Sequence, residues 1–225
     1  MGDQQTVQNE QLVVIGTQQL EGVLAVPAGA SGLVIFAHGS GSSRFSPRNS
    51  LVAEALNRRG LATLLFDLLT EQEAVNRANV FDIPLLGARV AEAVQWARDS
   101  EQTASLKIGL FGASTGAAAA LVAAAQMPEA ISAVVSRGGR PDLGQGALLR
   151  VQAPTLLIVG GADRQVLALN EEALRLLSCE KMLEVVPGAT HLFEEPGTLE
   201  QVIELAGRWF DRHLGQAKDG QHAHL

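Results

Sequence analysis

The strongest constraint on this chain is an alternation. Short apolar runs (Leu33 to Ala37, Ala62 to Phe66, Ile108 to Phe111, Ile131 to Val135, Thr155 to Val159, Met182 to Val186) are separated by longer amphipathic or alanine-rich segments. An apolar run of strand length without polar alternation fits a strand covered on both faces, as in a parallel sheet between layers of helices. The intervening segments carry helix signals. Ser46-Pro47 forms a cap and first turn for a helix reaching Arg59, with Gly60 as its stop. Leu86, Val90, Ala93, Val94 and Ala97 recur at helical spacing within Ile83 to Arg98. Thr115 to Gln126, Leu167 to Leu177 and Leu199 to Leu214 complete the set. Upstream, Leu12 to Ile15 and Leu20 to Val26 flank Gly16-Thr17 and read as a hairpin. The expectation is an α/β architecture: a doubly wound, mostly parallel sheet of about eight strands, an N-terminal antiparallel hairpin, and helices on both faces.

Composition narrows the partners. The chain has 225 residues, 47% of them hydrophobic, enough for one sizeable core. A single domain over 11–214 is expected, between a polar start (1–10) and a polar tail (215–225), both expected to be disordered. With 17 basic against 24 acidic residues the net charge is -7, which excludes a phosphate backbone as an obvious partner. The lone Cys179 excludes a disulfide framework and a cysteine-rich zinc site, and reads as a buried, inert thiol. No basic run followed by an apolar stretch opens the chain, and no apolar run is long enough to span a bilayer. A soluble cytoplasmic protein without nucleic-acid or membrane partners is therefore expected.

The chemistry concentrates at three places. Gly112-Ala113-Ser114-Thr115-Gly116 matches the G-x-S-x-G nucleophile elbow and stands where a strand hands over to a helix. The pattern alone is weak; the strand-turn-helix context is what the mechanics require, because the turn strains the serine backbone and lifts its hydroxyl above the sheet. A nucleophilic serine needs a base and a group that orients the base. Asp163 follows the strand Thr155 to Val159, and His191 follows the strand Met182 to Val186. Each stands at the carboxyl end of a parallel strand, where open α/β sheets build their sites. Singly, Asp163 reads as a turn residue and His191 as a loop histidine; together with Ser114 they form one constellation. His213 near a helix end, His222 and His224 in the tail, and His38, which shapes the backbone before Gly39, compete poorly. For an oxyanion hole, one donor is the N–H of Thr115. The other comes from His38-Gly39-Ser40-Gly41, with Ser40 preferred and Gly39 second.

With these motifs in place, the sequence resembles the α/β-hydrolase superfamily and, within it, the dienelactone hydrolase family. The resemblance rests on His38-Gly39-Ser40-Gly41, Gly112-Ala113-Ser114-Thr115-Gly116, Gly160-Gly161-Ala162-Asp163 and Gly188-Ala189-Thr190-His191, and covers roughly Gln11 to Leu214. It implies the α/β-hydrolase fold and a Ser114–His191–Asp163 triad in the chain order Ser, Asp, His. It implies no metal and no organic cofactor. One departure stands out: dienelactone hydrolases proper carry cysteine at the elbow, where this chain has Ser114. A general serine esterase is thus a safer expectation than a dienelactonase.

The substrate is less constrained. The fold consumes most of the chain, so only a minimal lid is expected, with Leu68 to Asp82 as either a flap or a solvated loop. A small or medium soluble ester fits such a site. Arg137 at a strand end, and Arg44 and Arg48 flanking the oxyanion loop, are candidates to grip a carboxylate, which would make the ester anionic; surface or structural pairing is the competing role for each. A thioesterase, amidase or peptidase with the same triad, and a non-catalytic binding module on the same fold, are the rival readings.

Overall fold

The structure, a computed structural model, describes residues 10–215. The expected disorder of the polar start and tail, and His222 and His224, lie outside the described residues, except that Glu10 opens the first strand and Gly215 closes the last helix.

Eight strands form one sheet: β1 Glu10–Ile15, β2 Leu20–Ala25, β3 Gly32–Ala37, β4 Ala62–Phe66, β5 Lys107–Ala113, β6 Ile131–Arg137, β7 Thr155–Gly160 and β8 Lys181–Val186. Their order is β1-β2-β4-β3-β5-β6-β7-β8. β1 and β2 pair antiparallel around residues 16–19, in register Ile15 with Leu20, and β2 pairs antiparallel with β4; every later pairing is parallel. The central strands β3, β4 and β7 are buried at every position, as their unbroken apolar runs require. This is the α/β-hydrolase architecture anticipated from the sequence.

The helices are α1 Pro47–Arg58, α2 Glu71–Val75, α3 Arg77–Val80, α4 Ile83–Asp99, α5 Thr115–Gln126, α6 Gln145–Leu148, α7 Arg164–Leu176 and α8 Thr198–Leu214. Ser46 caps α1 as expected, its hydroxyl accepting from the Asn49 N–H. Two apolar clusters cover the sheet: α4, α5 and α7 pack on one face, α1 and α8 on the other. α5 is rich in alanine because it lies flat on the central strands, where Ala117 to Ala120 have no exposed surface. On the opposite face the Phe210 ring of α8 lies against β5 at Gly109, where a Cβ would come within 2.7 Å of the ring.

Two segments differ from expectation. Leu68 to Asp82, expected as either a flap or a solvated loop, carries α2 and α3, each a short helix with its own cap. Thr70 and Glu73 form a reciprocal capping box for α2, and the Asn76 side chain caps α3. A 3₁₀ turn at Pro141–Gly144 and α6 were not anticipated; pieces of one turn lack the length over which periodicity is legible.

Gly109→Ala is expected to destabilise the fold by about 1–3 kcal/mol, because the added methyl would overpack Phe210 and the Leu214 side chain. A urea unfolding midpoint equal to that of the parent would contradict this packing account.

Candidate active site

The turn between β5 and α5 is crowded enough to dictate its residues. Ser114 has φ 51° and ψ -122°, a left-handed backbone that a non-glycine residue adopts only under constraint. The constraint is backbone pairing. Its N–H donates to Arg137 O at 3.2 Å, and its carbonyl accepts from Ala117 N–H and Arg140 N–H, each at 3.1 Å. The two motif glycines answer to close approach. A Cβ on Gly112 would sit 2.4 Å from Ala117 Cα, and one on Gly116 would sit 2.2 Å from Ala37 O and 2.4 Å from His38 O. Ser114 stands at the N-cap position of α5, but its hydroxyl makes no capping bond and is left available. It faces His191 Nε2 at 3.3 Å.

Asp163 and His191 converge on the same edge. Asp163 lies three residues past β7 and is the N-cap of α7, which begins at Arg164, earlier than its apolar spacing indicated. Its two carboxylate oxygens divide the work: Oδ1 accepts from Val166 N–H at 3.4 Å, and Oδ2 lies 2.8 Å from His191 Nδ1. Thus the turn role and the site role of Asp163 coexist. The loop carrying His191 is braced by Glu195, whose carboxylate accepts from the Thr190 N–H at 3.0 Å and from its hydroxyl at 2.6 Å. Phe193, at φ 55°, is buried and pins the loop from below. Gly160 lets the loop lie over β7, since a Cβ there would come within 2.3 Å of Ala189 O.

On the other side of Ser114 lies the loop after β3. The Thr115 N–H, at the first position of α5, has no acceptor within its helix. The Ser40 N–H, the preferred second donor, is instead given to Thr115 Oγ1 at 2.8 Å, which leaves Gly39 as the candidate from this loop. Gly39 lies against Ser114, where a Cβ would meet the serine Cβ at 3.0 Å. His38 fastens this loop to the next: Nε2 accepts from the Leu68 N–H at 3.1 Å, which leaves the proton on Nδ1, 3.0 Å from Gly39 O. Burial holds the His38 pKa below its ordinary value, with the Gly39 bond and Asp67 opposing. Its role is backbone shape, as read from the sequence.

Comparison with known proteins decides the family. Residues 20–206 match the family model described as "Dienelactone hydrolase family". The chain belongs to the dienelactone hydrolase family. A dienelactone hydrolase from Anabaena variabilis, known from a crystal structure, is 55% identical; the match covers 92% of this chain and 98% of that one, with a TM-score of 0.88. Est1E from Butyrivibrio proteoclasticus shares the fold at a TM-score of 0.77 and 17% identity, over 91% of this chain and 98% of that one. A curated protein of Mycobacterium tuberculosis, named as a candidate phosphoribosyl transferase, is 59% identical over 202 residues, 90% of this chain. The chain spans about half the length of that relative, 46% of it.

In this dienelactone hydrolase family member a cavity of about 990 Å³ opens beside Ser114. It is lined by Gly39, Ser40 and Thr115, by the β1–β2 turn and the start of β2, by the residues that follow β4, and by the segment carrying α2 and α3. Ser114, Asp163 and His191 are not among its lining residues; the cavity meets Ser114 through its neighbours Gly39 and Thr115. The cavity wall from α2 is what the sequence reading left open; the only signal was the Thr70–Glu73 capping spacing. The Thr190–Glu195 brace and Phe193 were missed, since neither belongs to a motif with a chemical signature.

The three arginines expected to grip a carboxylate are engaged elsewhere. Arg44 lines the cavity, but its guanidinium is ion-paired with both Asp67 and Glu21, and its N–H donates to Asp67 Oδ1 at 2.7 Å. Arg48 pairs with Glu194 at 3.2 Å. Arg137 is buried, its Nη2 donating to Asn49 Oδ1 at 3.2 Å, and burial beside Arg48 brings its pKa down to about 10. Strand β6 delivers its backbone to Ser114 while its side chain is buried against α1. An arginine at a strand end shows nothing in the sequence of which acids will surround it.

Two outcomes follow. Gly116→Ala should abolish the elbow geometry, because the new methyl would overlap main-chain oxygens that cannot give way, and should remove Ser114 reactivity toward a fluorophosphonate. For His38 the folded pKa lies below the ordinary 6.5, so the unfolded chain binds a proton that the folded chain refuses. Its contribution to stability is complete above 6.5 and is lost as the pH falls below that value toward the lowered folded pKa. The urea midpoint should therefore drop on acidification, and by less in His38→Gln; an equal drop in both proteins would refute the assignment.

Proposed function

We propose that the protein is a serine hydrolase that cleaves small or medium carboxylic esters by acyl transfer through Ser114, His191 and Asp163. The observation that carries this reading is one imidazole bridging two groups from separate strand ends, 3.3 Å from the Ser114 hydroxyl and 2.8 Å from the Asp163 carboxylate. Asp163 accepts from Nδ1–H and fixes the tautomer in which Nε2 is free to take the serine proton. Ser114 then attacks the ester carbonyl. The Thr115 N–H serves the developing oxyanion, and with the Ser40 N–H already given to Thr115 Oγ1 the second donor falls to Gly39, a contribution of roughly 3 kcal/mol per donor in comparable enzymes. His191 returns the proton to the departing alcohol, and water, activated by the same imidazole, releases the acid.

Esters are favoured by the family and by the 55% identical Anabaena variabilis relative named as a dienelactone hydrolase, since a lactone is a cyclic ester. Thioesters and amides use the same machinery, and an acyl and leaving-group panel separates the three. The phosphoribosyl transferase name belongs to a relative more than twice the matched length. The acidic cavity wall, with Glu21, Asp67, Glu71 and Glu73, is a poor host for a pyrophosphate-bearing sugar.

A fluorophosphonate should label the protein, and Ser114→Ala should abolish labelling and lower kcat on a p-nitrophenyl ester by about 10⁴-fold or more. Asp163→Asn should lower kcat by about 10⁴-fold with little change in KM. Undiminished labelling of Ser114→Ala would remove the reading.

A further inference from the structure

We propose that the cavity beside Ser114 is the acyl pocket, and that its wall excludes acyl groups bearing a carboxylate and accepts uncharged polar ones. This inference rests on the hydrolase reading above.

Direction comes first. The departing alcohol must take its proton from His191 Nε2, so it leaves on the side of β7 and β8. With the oxyanion held at the Thr115 N–H, the acyl chain that stays on Ser114 takes the remaining direction away from His191, over the loop at Gly39 and Ser40. That is where the cavity lies, with Gly39, Ser40 and Thr115 in its wall and His191 outside it.

Charge comes second. The wall holds four carboxylates, Glu21, Asp67, Glu71 and Glu73, against one guanidinium, Arg44. Arg44 is already shared between Asp67 and Glu21, and Asp67 also accepts from its backbone N–H. Glu73 is tied to the Thr70 cap and to Arg89 at 2.8 Å, which together hold its carboxyl ionised below the usual range. His38, also in the wall, accepts from Leu68 N–H and is neutral. An entering carboxylate therefore meets like charges and no cation without carboxylate partners among the described wall residues. Gln18, Gln19, Gln72 and Ser43 supply uncharged donors and acceptors in the same wall, suited to hydroxyl or amide groups.

The test compares two p-nitrophenyl esters that differ only at the far end of the acyl chain: the adipic half-ester, whose free carboxylate cannot close a five- or six-membered anhydride, and its primary amide. Each rate is divided by that ester's own hydroxide rate. At low ionic strength kcat/KM should favour the amide by at least about thirtyfold. The ratio should shrink in ~1 M salt, where screening acts over about 3 Å. It should shrink again in Glu71→Gln and in Glu21→Gln, the latter also releasing Arg44 from one partner. Equal rates, or a preference for the carboxylate, would overturn the proposal while leaving the hydrolase reading intact. So would failure to turn over the amide ester in protein that still takes the fluorophosphonate. A protein that neither reacts with the fluorophosphonate nor hydrolyses either ester loses the hydrolase reading and this inference together.

Discussion

The whole carboxyl edge of the sheet depends on how closely the turn after β5 can approach the end of β3. The missing Cβ of Gly116 lets α5 start directly against Ala37 O and His38 O, and the missing Cβ of Gly112 lets the chain fold back on itself at Ala117. That approach holds Ser114 in its left-handed backbone and lays Gly39 against it. It also brings Thr115 Oγ1 within 2.8 Å of Ser40 N. Strain at one residue is sustained because hydrogen bonds from β6 and from Arg140 fix the peptide groups on either side. The hydroxyl is therefore placed by main-chain packing, not by the preference of its own side chain.

The edge has two unlike halves. On the β7–β8 side, short loops with glycine at the close approaches hold an imidazole that is partly open to solvent. On the β3–β4 side, α2 and α3 roof a cavity whose wall is polar and acidic. On the proposed reading, the fold keeps the group that would move protons apart from the surface that would select the substrate. Selection can change by substitution in α2 and its flanks without disturbing the proton path.

Much of this was legible in the sequence, and the reasons are specific. Unbroken apolar runs such as Leu33 to Ala37, bounded by turn residues, fit central strands, and the Ala-rich stretch after Ser114 fits a helix lying flat on a sheet. The elbow, Asp163 and His191 were visible because steric and chemical demands leave few residue types able to fill them. Long-range pairing was not visible. Arg44, Arg48 and Arg137 carry the same charge in the sequence, yet one is neutralised by Asp67 and Glu21, one by Glu194, and one is buried against Asn49. Partners distant in the chain decide what a charge is worth. Likewise α2 and α3 are too short for periodicity and declare themselves only through their caps.

The split use of the Asp163 carboxylate links two scales of motion. One oxygen closes the first turn of α7 while the other steers the imidazole. Fraying of that single turn would release the ring from its alignment and leave the rest of the molecule untouched. Such an event would be silent in calorimetry, yet it would divide the population into competent and idle molecules. If Asp163 orients His191 as proposed, the catalytic fraction would follow the opening equilibrium of one helical end.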